Sequence, residues 1–88
     1  MEKKVLKEIT LPSGKIAVIY DGTGEDFLTA VENAEAVSGG TPGFKDIVIS
    51  LMELLVTVDG KKLAEPQLRA MPIKDFLVLY RNFLEVLG

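Results

Sequence analysis

The chain has no cysteine, no histidine and no tryptophan among its 88 residues. Without cysteine there is no disulfide framework, no thiolate metal site and no thiol nucleophile. That usage fits a reducing cytosol. Without histidine, imidazole acid–base chemistry and histidine metal ligation are excluded. Ser13, Ser38 and Ser50 lack the usual basic partner that would make a serine nucleophilic. The expectation is a protein that is not an enzyme, with no catalytic residue, no metal and no cofactor.

Positive charge is also scarce. Lys and Arg total 10 against 13 Asp and Glu, a net charge of -3. The cations are scattered, with Lys3, Lys4 and Lys7 at the start and Lys61 and Lys62 at a turn. No basic stripe is available to displace counterions from phosphates, so nucleic acid is not expected as a partner. Long apolar runs are missing too. The longest, residues 47–58, is broken by Ser50, Glu53 and Thr57 and is too short to span a bilayer. The run after Met1-Glu2-Lys3-Lys4 is too short for a secretory signal. No membrane association and a cytoplasmic location are expected.

What the chain has is apolar content, 48% of its residues. A domain this small hides only about 60% of its unfolded surface or slightly more. Some apolar surface is therefore expected to remain for a partner or for a second copy in a homo-oligomer.

The pattern predicts one α+β domain over residues 1–88. An N-terminal β-hairpin occupies 1–21 and a bundle of three main helices occupies 23–88, in the order β-β-α-α-short α-α. Residues 5–11 and 16–20 read as strands around the turn sequence Pro12-Ser13-Gly14-Lys15. Phe27, Ala30, Val31, Ala34 and Val37 then recur at helical spacing, until Gly39-Gly40 stops the helix. Thr41-Pro42 is expected to open a second helix, apolar nearly all round, whose end frays into Val56-Thr57-Val58. Asp59-Gly60 is a turn, residues 64–70 a short helical turn, and Pro72 opens the last helix. In that helix Ile73, Phe76, Leu77, Tyr80, Phe83, Leu84 and Leu87 form one apolar stripe. The central core is expected to join Phe44, Ile47, Leu51 and Leu55 to Phe76, Tyr80 and Leu84. This leaves Val78, Leu79, Met52 and Val56 off the core stripes as candidates to face a partner.

The stretch YDGTGEDFLTA, residues 20–30, is the one place where a chemical site suggests itself. A phosphate loop needs Lys and then Ser or Thr after the second glycine, and here Glu25 and Asp26 follow. Their charges oppose phosphate at the helix end that should attract it. A calcium loop counted from Asp21 would need glycine at its sixth position, which is Asp26. A helix start fits best. Thr23 and Asp26 have the spacing of a capping box, in which each side chain satisfies the other residue's amide. Both acids also oppose the positive end of the helix dipole. Pro72 and Asp75 are read as a second helix start.

The order of these elements resembles a known family. EITLPSGKIAVIY is followed by Thr-Gly-x-Asp at residues 23–26, then an apolar helix, then VDGKKLAEPQLRAMPIKDFLVL. This resembles the small tail assembly chaperones of tailed bacteriophages and prophages, the Mu-like group in particular, over residues 9–87. In that family a leucine-proline-x-x-aspartate-phenylalanine element opens the final helix. Here it is Met71-Pro72-Ile73-Lys74-Asp75-Phe76. The chain departs from the pattern at Tyr20-Asp21-Gly22, where a basic-acidic-proline run is frequent, and at Met71. The resemblance implies a transient binding protein of the host cytoplasm, absent from the mature virion. It would hold apolar helical segments of the tape-measure protein and help recruit tail tube protein. It also implies that a longer, frameshifted form is made in many relatives. The competing classes are a small regulatory or adaptor domain and an enzyme subunit whose chemistry lies on another chain. A tail tube gene upstream and a long helical gene downstream would distinguish them.

Overall fold

The hairpin forms around a tight turn. In the computed structural model, which describes residues 3–88, strand β1 (Val5–Thr10) pairs antiparallel with β2 (Ile16–Tyr20). Between them the amide of Leu11 donates to Lys15 O and that of Gly14 to Leu11 O, each at 2.8 Å. Gly14 sits at φ +92°, a conformation open to glycine and strained for other residues. The register places Ile9 opposite Ala17, with an irregularity between Val5 and Lys7.

Helix α1 (Gly24–Ser38) follows and ends at Gly39, which adopts the left-handed conformation expected of a C-terminal cap. Helix α2 spans Phe44–Leu55. Its start differs from the expected one. Thr41 and Pro42 lie outside it, Gly43 is the cap residue, and the Asp46 carboxylate accepts from the Gly43 amide at 3.0 Å. An acid at the third helical position thus reaches back to the amide of the cap residue, while Gly43 has no side chain to accept from the first turn as Thr41 was expected to do.

The chain leaves α2 directly into β3 (Val56–Val58). These residues were expected to fray from the helix. They extend because two β-branched valines and a threonine meet an open edge of β2, with Ala17 opposite Val58 and Ile19 opposite Val56. Asp59 and Gly60 both have positive φ, +51° and +79°, the backbone of a two-residue hairpin turn. Asp59 Oδ1 also accepts from the Ile16 amide at 2.9 Å. Strand β4 (Lys61–Lys62) completes a four-stranded antiparallel sheet in the order β1-β2-β3-β4. The short helix α3 (Glu65–Arg69) and helix α4 (Ile73–Leu87) end the fold. The α+β architecture of hairpin and helices is as the sequence implies, enlarged by two short strands.

One face of the sheet makes the core. Ala17, Ile19, Val56 and Val58 are buried with Val48, Leu51, Met52 and Leu55 of α2 and with Leu79 and Phe83 of α4. Helix α1 packs on α2 and buries only Ala30 and Ala34, small residues that permit close approach. Gly22 lies close by, since a Cβ there would come within 3.0 Å of the Leu55 methyl groups.

The core differs from expectation at two places. Leu51 and Leu55 are buried as expected, and Ile47, Phe76, Tyr80 and Leu84 pack against the core while partly exposed. Phe44, however, is 68% exposed at the start of α2. Helix α4 is also rotated relative to its expected stripe. Its buried residues are Asp75, Leu79, Asn82 and Phe83, while Ile73 and Leu77 face solvent. The rotation has a physical cause. Asp75 and Asn82 are polar, so a hydrophobic stripe leaves them outside. Both are satisfied within the protein, however, and so can be buried. Asp75 Oδ1 accepts from the Ser13 amide at 3.0 Å, and Asn82 Nδ2 donates to Val78 O at 2.7 Å.

Candidate functional site

The stretch at residues 20–30 is built as a helix start. Thr23 Oγ1 accepts from the Asp26 amide at 3.3 Å, and Asp26 Oδ2 accepts from the Thr23 amide at 2.9 Å. Both halves of the capping box are thus present. The Lys3 ammonium lies 2.7 Å from the same carboxylate oxygen. Lys3 first, and the Thr23 amide after it, hold the Asp26 carboxyl below its ordinary pKa. Asp26 is therefore an ionised cap whose Oδ2 is engaged by both the Lys3 ammonium and the Thr23 amide. Among the described residues, no group of three or more Asp, Glu, His or Cys side chains could hold a metal ion.

Pro72 stands at the N-cap of α4, as the sequence implies. Asp75 does more than begin this helix, because it bonds the turn of the β1–β2 hairpin rather than its own cap.

The residues expected to face a partner separate into two groups. Val78 is half-buried and lines an open groove. Leu79, Met52 and Val56 are corrected: they lie in the core, at 0%, 1% and 1% exposure. Leu79 turns inward with Phe83 into the core, on the same side as Asp75, which is tied to the hairpin one helical turn before it. Val56 and Met52 turn inward because the chain enters the sheet at β3, which points Val56 to the core face beside Ile19.

The outward face of α4 holds what the core stripe was expected to hold. Ile73 is 72% exposed and Leu77 58%. Beside them runs a groove of about 610 Å³ lined by Leu77, Val78, Tyr80, Arg81, Leu84 and Glu85. Across Tyr80 lies a second hollow of about 350 Å³, lined by Ile49 and Phe76 with Lys45 and Arg69 at its polar side. The Phe76 and Tyr80 rings stack with centroids 5.6 Å apart in the second hollow, and Tyr80 lines both. This surface is apolar with a few charged groups at its margin, and it carries no arrangement of nucleophile and base. Its chemistry suits the burial of an apolar side of another chain. The missed signal was that α4 is apolar on two sides: Leu79 and Val86, outside the expected stripe, share a second helical side with Phe83, a member of it.

No helix of the described residues is long and apolar enough to cross a membrane. No protein-family model, curated protein or solved structure matches the chain.

Proposed function

We propose that this chain is a tail assembly chaperone of a tailed bacteriophage or prophage. In this reading it is a non-catalytic protein of the host cytoplasm that transiently holds the tape-measure protein, promotes assembly of tail tube protein, and is left out of the finished virion. The motif order described above supports the family. The observation that carries the binding role is the exposed apolar side of α4, where Ile73 and Leu77 stand free beside the groove of Leu77, Val78, Tyr80 and Leu84. An amphipathic helix laid there would bury its apolar residues without charged chemistry. Val78, one of the residues selected from sequence, remains in this surface. Ile73 and Leu77 replace Leu79, Met52 and Val56 as its contact residues.

The test is co-expression with the long helical protein encoded downstream. Wild type keeps that protein in solution and co-purifies with it, and the complex persists at high salt because screening weakens charge attraction rather than apolar burial. Leu77→Asp loses the client while its circular dichroism stays unchanged. If wild type gives neither solubility nor co-purification at low salt, the chaperone reading fails and a small cytosolic adaptor domain takes its place.

A further inference from the structure

Beside the turn of the β1–β2 hairpin, several parts of the fold converge on a hollow of about 240 Å³. Leu11 comes from the hairpin, Val58 from β3, Leu63 from the segment before α3 and Met71 from the segment before α4, and together they make an apolar wall. Two charged side chains share the hollow, Asp75 from the first turn of α4 and Lys15 from the hairpin. Gln67 of α3 also borders it, with its Oε1 taken by the Ala64 amide at 2.9 Å. The hollow has no residue in common with the groove of Leu77 and Tyr80.

Asp75 gives the hollow its chemical preference. It is 2% exposed, and its one hydrogen bond among the described residues is that of Oδ1 with the Ser13 amide. The ion pairs of the described residues join Lys3 to Asp26, Lys7 to Glu85 and Arg69 to Glu65, and none reaches Asp75. An ionised carboxylate has about four acceptor positions. A buried one met by a single neutral donor keeps much of its desolvation cost. A second donor that carries positive charge offsets that cost, since charge-assisted hydrogen bonds are about twice as strong as neutral ones. The apolar wall adds the other half of the requirement, an alkyl stem behind the charged head. An anion is repelled by Asp75, and an uncharged apolar molecule desolvates the carboxylate further without pairing it. Lys15 has the right chemistry, but it stands exposed and forms no ion pair with Asp75. It is therefore a competitor at the rim rather than a fixed partner.

We propose that this hollow is a binding site for a primary ammonium group on a short alkyl stem, with the ammonium on the Asp75 carboxylate and the stem against Leu11, Val58, Leu63 and Met71. The volume equals that of about eight waters at about 30 Å³ each, enough for a stem of about four carbons with its ammonium. That chemistry belongs to the end of a lysine side chain on a partner polypeptide and equally to a free alkylamine. The site does not depend on the proposed function. The Ser13 amide, bonded to the same carboxylate, reports its occupancy.

Amide-resolved NMR of the isotope-labelled chain, titrated with n-butylammonium chloride at constant ionic strength, reads the site directly. The Ser13 amide shifts and saturates with a Kd of about 1–10 mM, as suits so small a ligand. n-Butanol and sodium butyrate, of the same length without the cation, bind at least about tenfold more weakly. Asp75→Asn keeps an acceptor for the Ser13 amide but loses the charge, and it binds butylammonium about tenfold or more weakly. Lys15→Met removes the competing ammonium and binds at least as tightly as wild type. A tripeptide with a central lysine and blocked ends assigns the source. Tighter binding than butylammonium points to a polypeptide side chain, and weaker binding to a free amine. The absence of a saturable Ser13 shift up to about 100 mM butylammonium overturns the proposal. Equal binding of butanol overturns it too, as does binding unchanged in Asp75→Asn or lost in Lys15→Met. The comparison of the three ligands on wild type needs no variant, so it decides even where Asp75→Asn does not fold. None of these outcomes bears on capture of the tape-measure protein, which the co-expression test reads separately.

Discussion

The carboxylate of Asp75, in the first turn of α4, accepts a hydrogen bond from the backbone amide of Ser13 at 3.0 Å, joining positions 62 residues apart. The bond ties the last helix to the turn of the N-terminal hairpin. Asp75 lies on the inward side of that helix with Leu79, Asn82 and Phe83, so the bond and the burial of Leu79 and Phe83 favour the same rotation. Ile73 and Leu77 are thereby left outside. The same side chain thus stabilises the rotation in which Ile73 and Leu77 are exposed.

Replacing this tie should loosen the hairpin turn. Asp75→Ala removes a hydrogen bond to a charged acceptor and should lower stability by about 1.5–3 kcal/mol. Asp75→Asn, which keeps an acceptor oxygen, should lose less. Urea unfolding gives the stability change, and hydrogen exchange should show the Ser13 amide losing protection in Asp75→Ala. An Asp75→Ala variant within 0.5 kcal/mol of wild type would mean that the bond does not hold the helix.

The cap at Thr23 and Asp26 has both a mutational and a pH signature. Thr23→Ala should cost about 1 kcal/mol, as the loss of a helix cap does. Asp26 is held below its ordinary value of 3.8 by Lys3 and the Thr23 amide. A carboxyl with a lowered folded pKa contributes stability that is fully present above 3.8. That contribution is lost as the pH falls through the folded value. Lys3→Ala should move the Asp26 titration back toward 3.8, read by carbon-detected NMR of its carboxyl. The gain in stability itself should be small, because the pair is partly exposed to solvent. An Asp26 titration that does not move would remove Lys3 from the cap.

Core and surface should separate cleanly in α2. Leu51→Ala deletes a buried side chain and should cost about 2–5 kcal/mol. Phe44→Ala, one of the residues the periodicity assigned to the core, should stay within about 0.5 kcal/mol of wild type because its ring is largely exposed. Thermal or urea denaturation of the two variants side by side is sufficient. Equal losses would show that Phe44 is packed after all.

Thr57 should tolerate the loss of its hydroxyl. It sits in the sheet between Val18 and Lys62, and its Oγ1 is buried without a hydrogen-bond partner. Thr57→Val removes an unpaired polar atom while keeping the β-branched shape that the strand prefers. The variant should be more stable by about 1 kcal/mol or somewhat more. A loss of stability in calorimetry would show that the hydroxyl is satisfied in solution.

Local chemistry was legible before the structure. The hairpin, the Thr23–Asp26 cap, the Gly39 stop, the Asp59-Gly60 turn and the burial of Leu51 and Leu55 all depend on residues close in sequence or on a single helical period. What local pattern could not carry was any choice made by distant contact. Val56-Thr57-Val58 is ambiguous between helix end and strand until β2 offers it an edge. Helix α4 has enough apolar residues for two faces, so its period alone cannot say which one is the core. Contacts with the sheet and α2 settle that, and Asp75 adds to them through Ser13, a partner with no sequence relation to it. A buried polar residue reads as surface until its hydrogen-bond partner is known, because its burial is unfavourable without that partner and acceptable with it. For this reason the sequence by itself determined the hairpin, the helices and most of their ends, while the tertiary structure decided the two short strands and which side of the last helix faces the solvent.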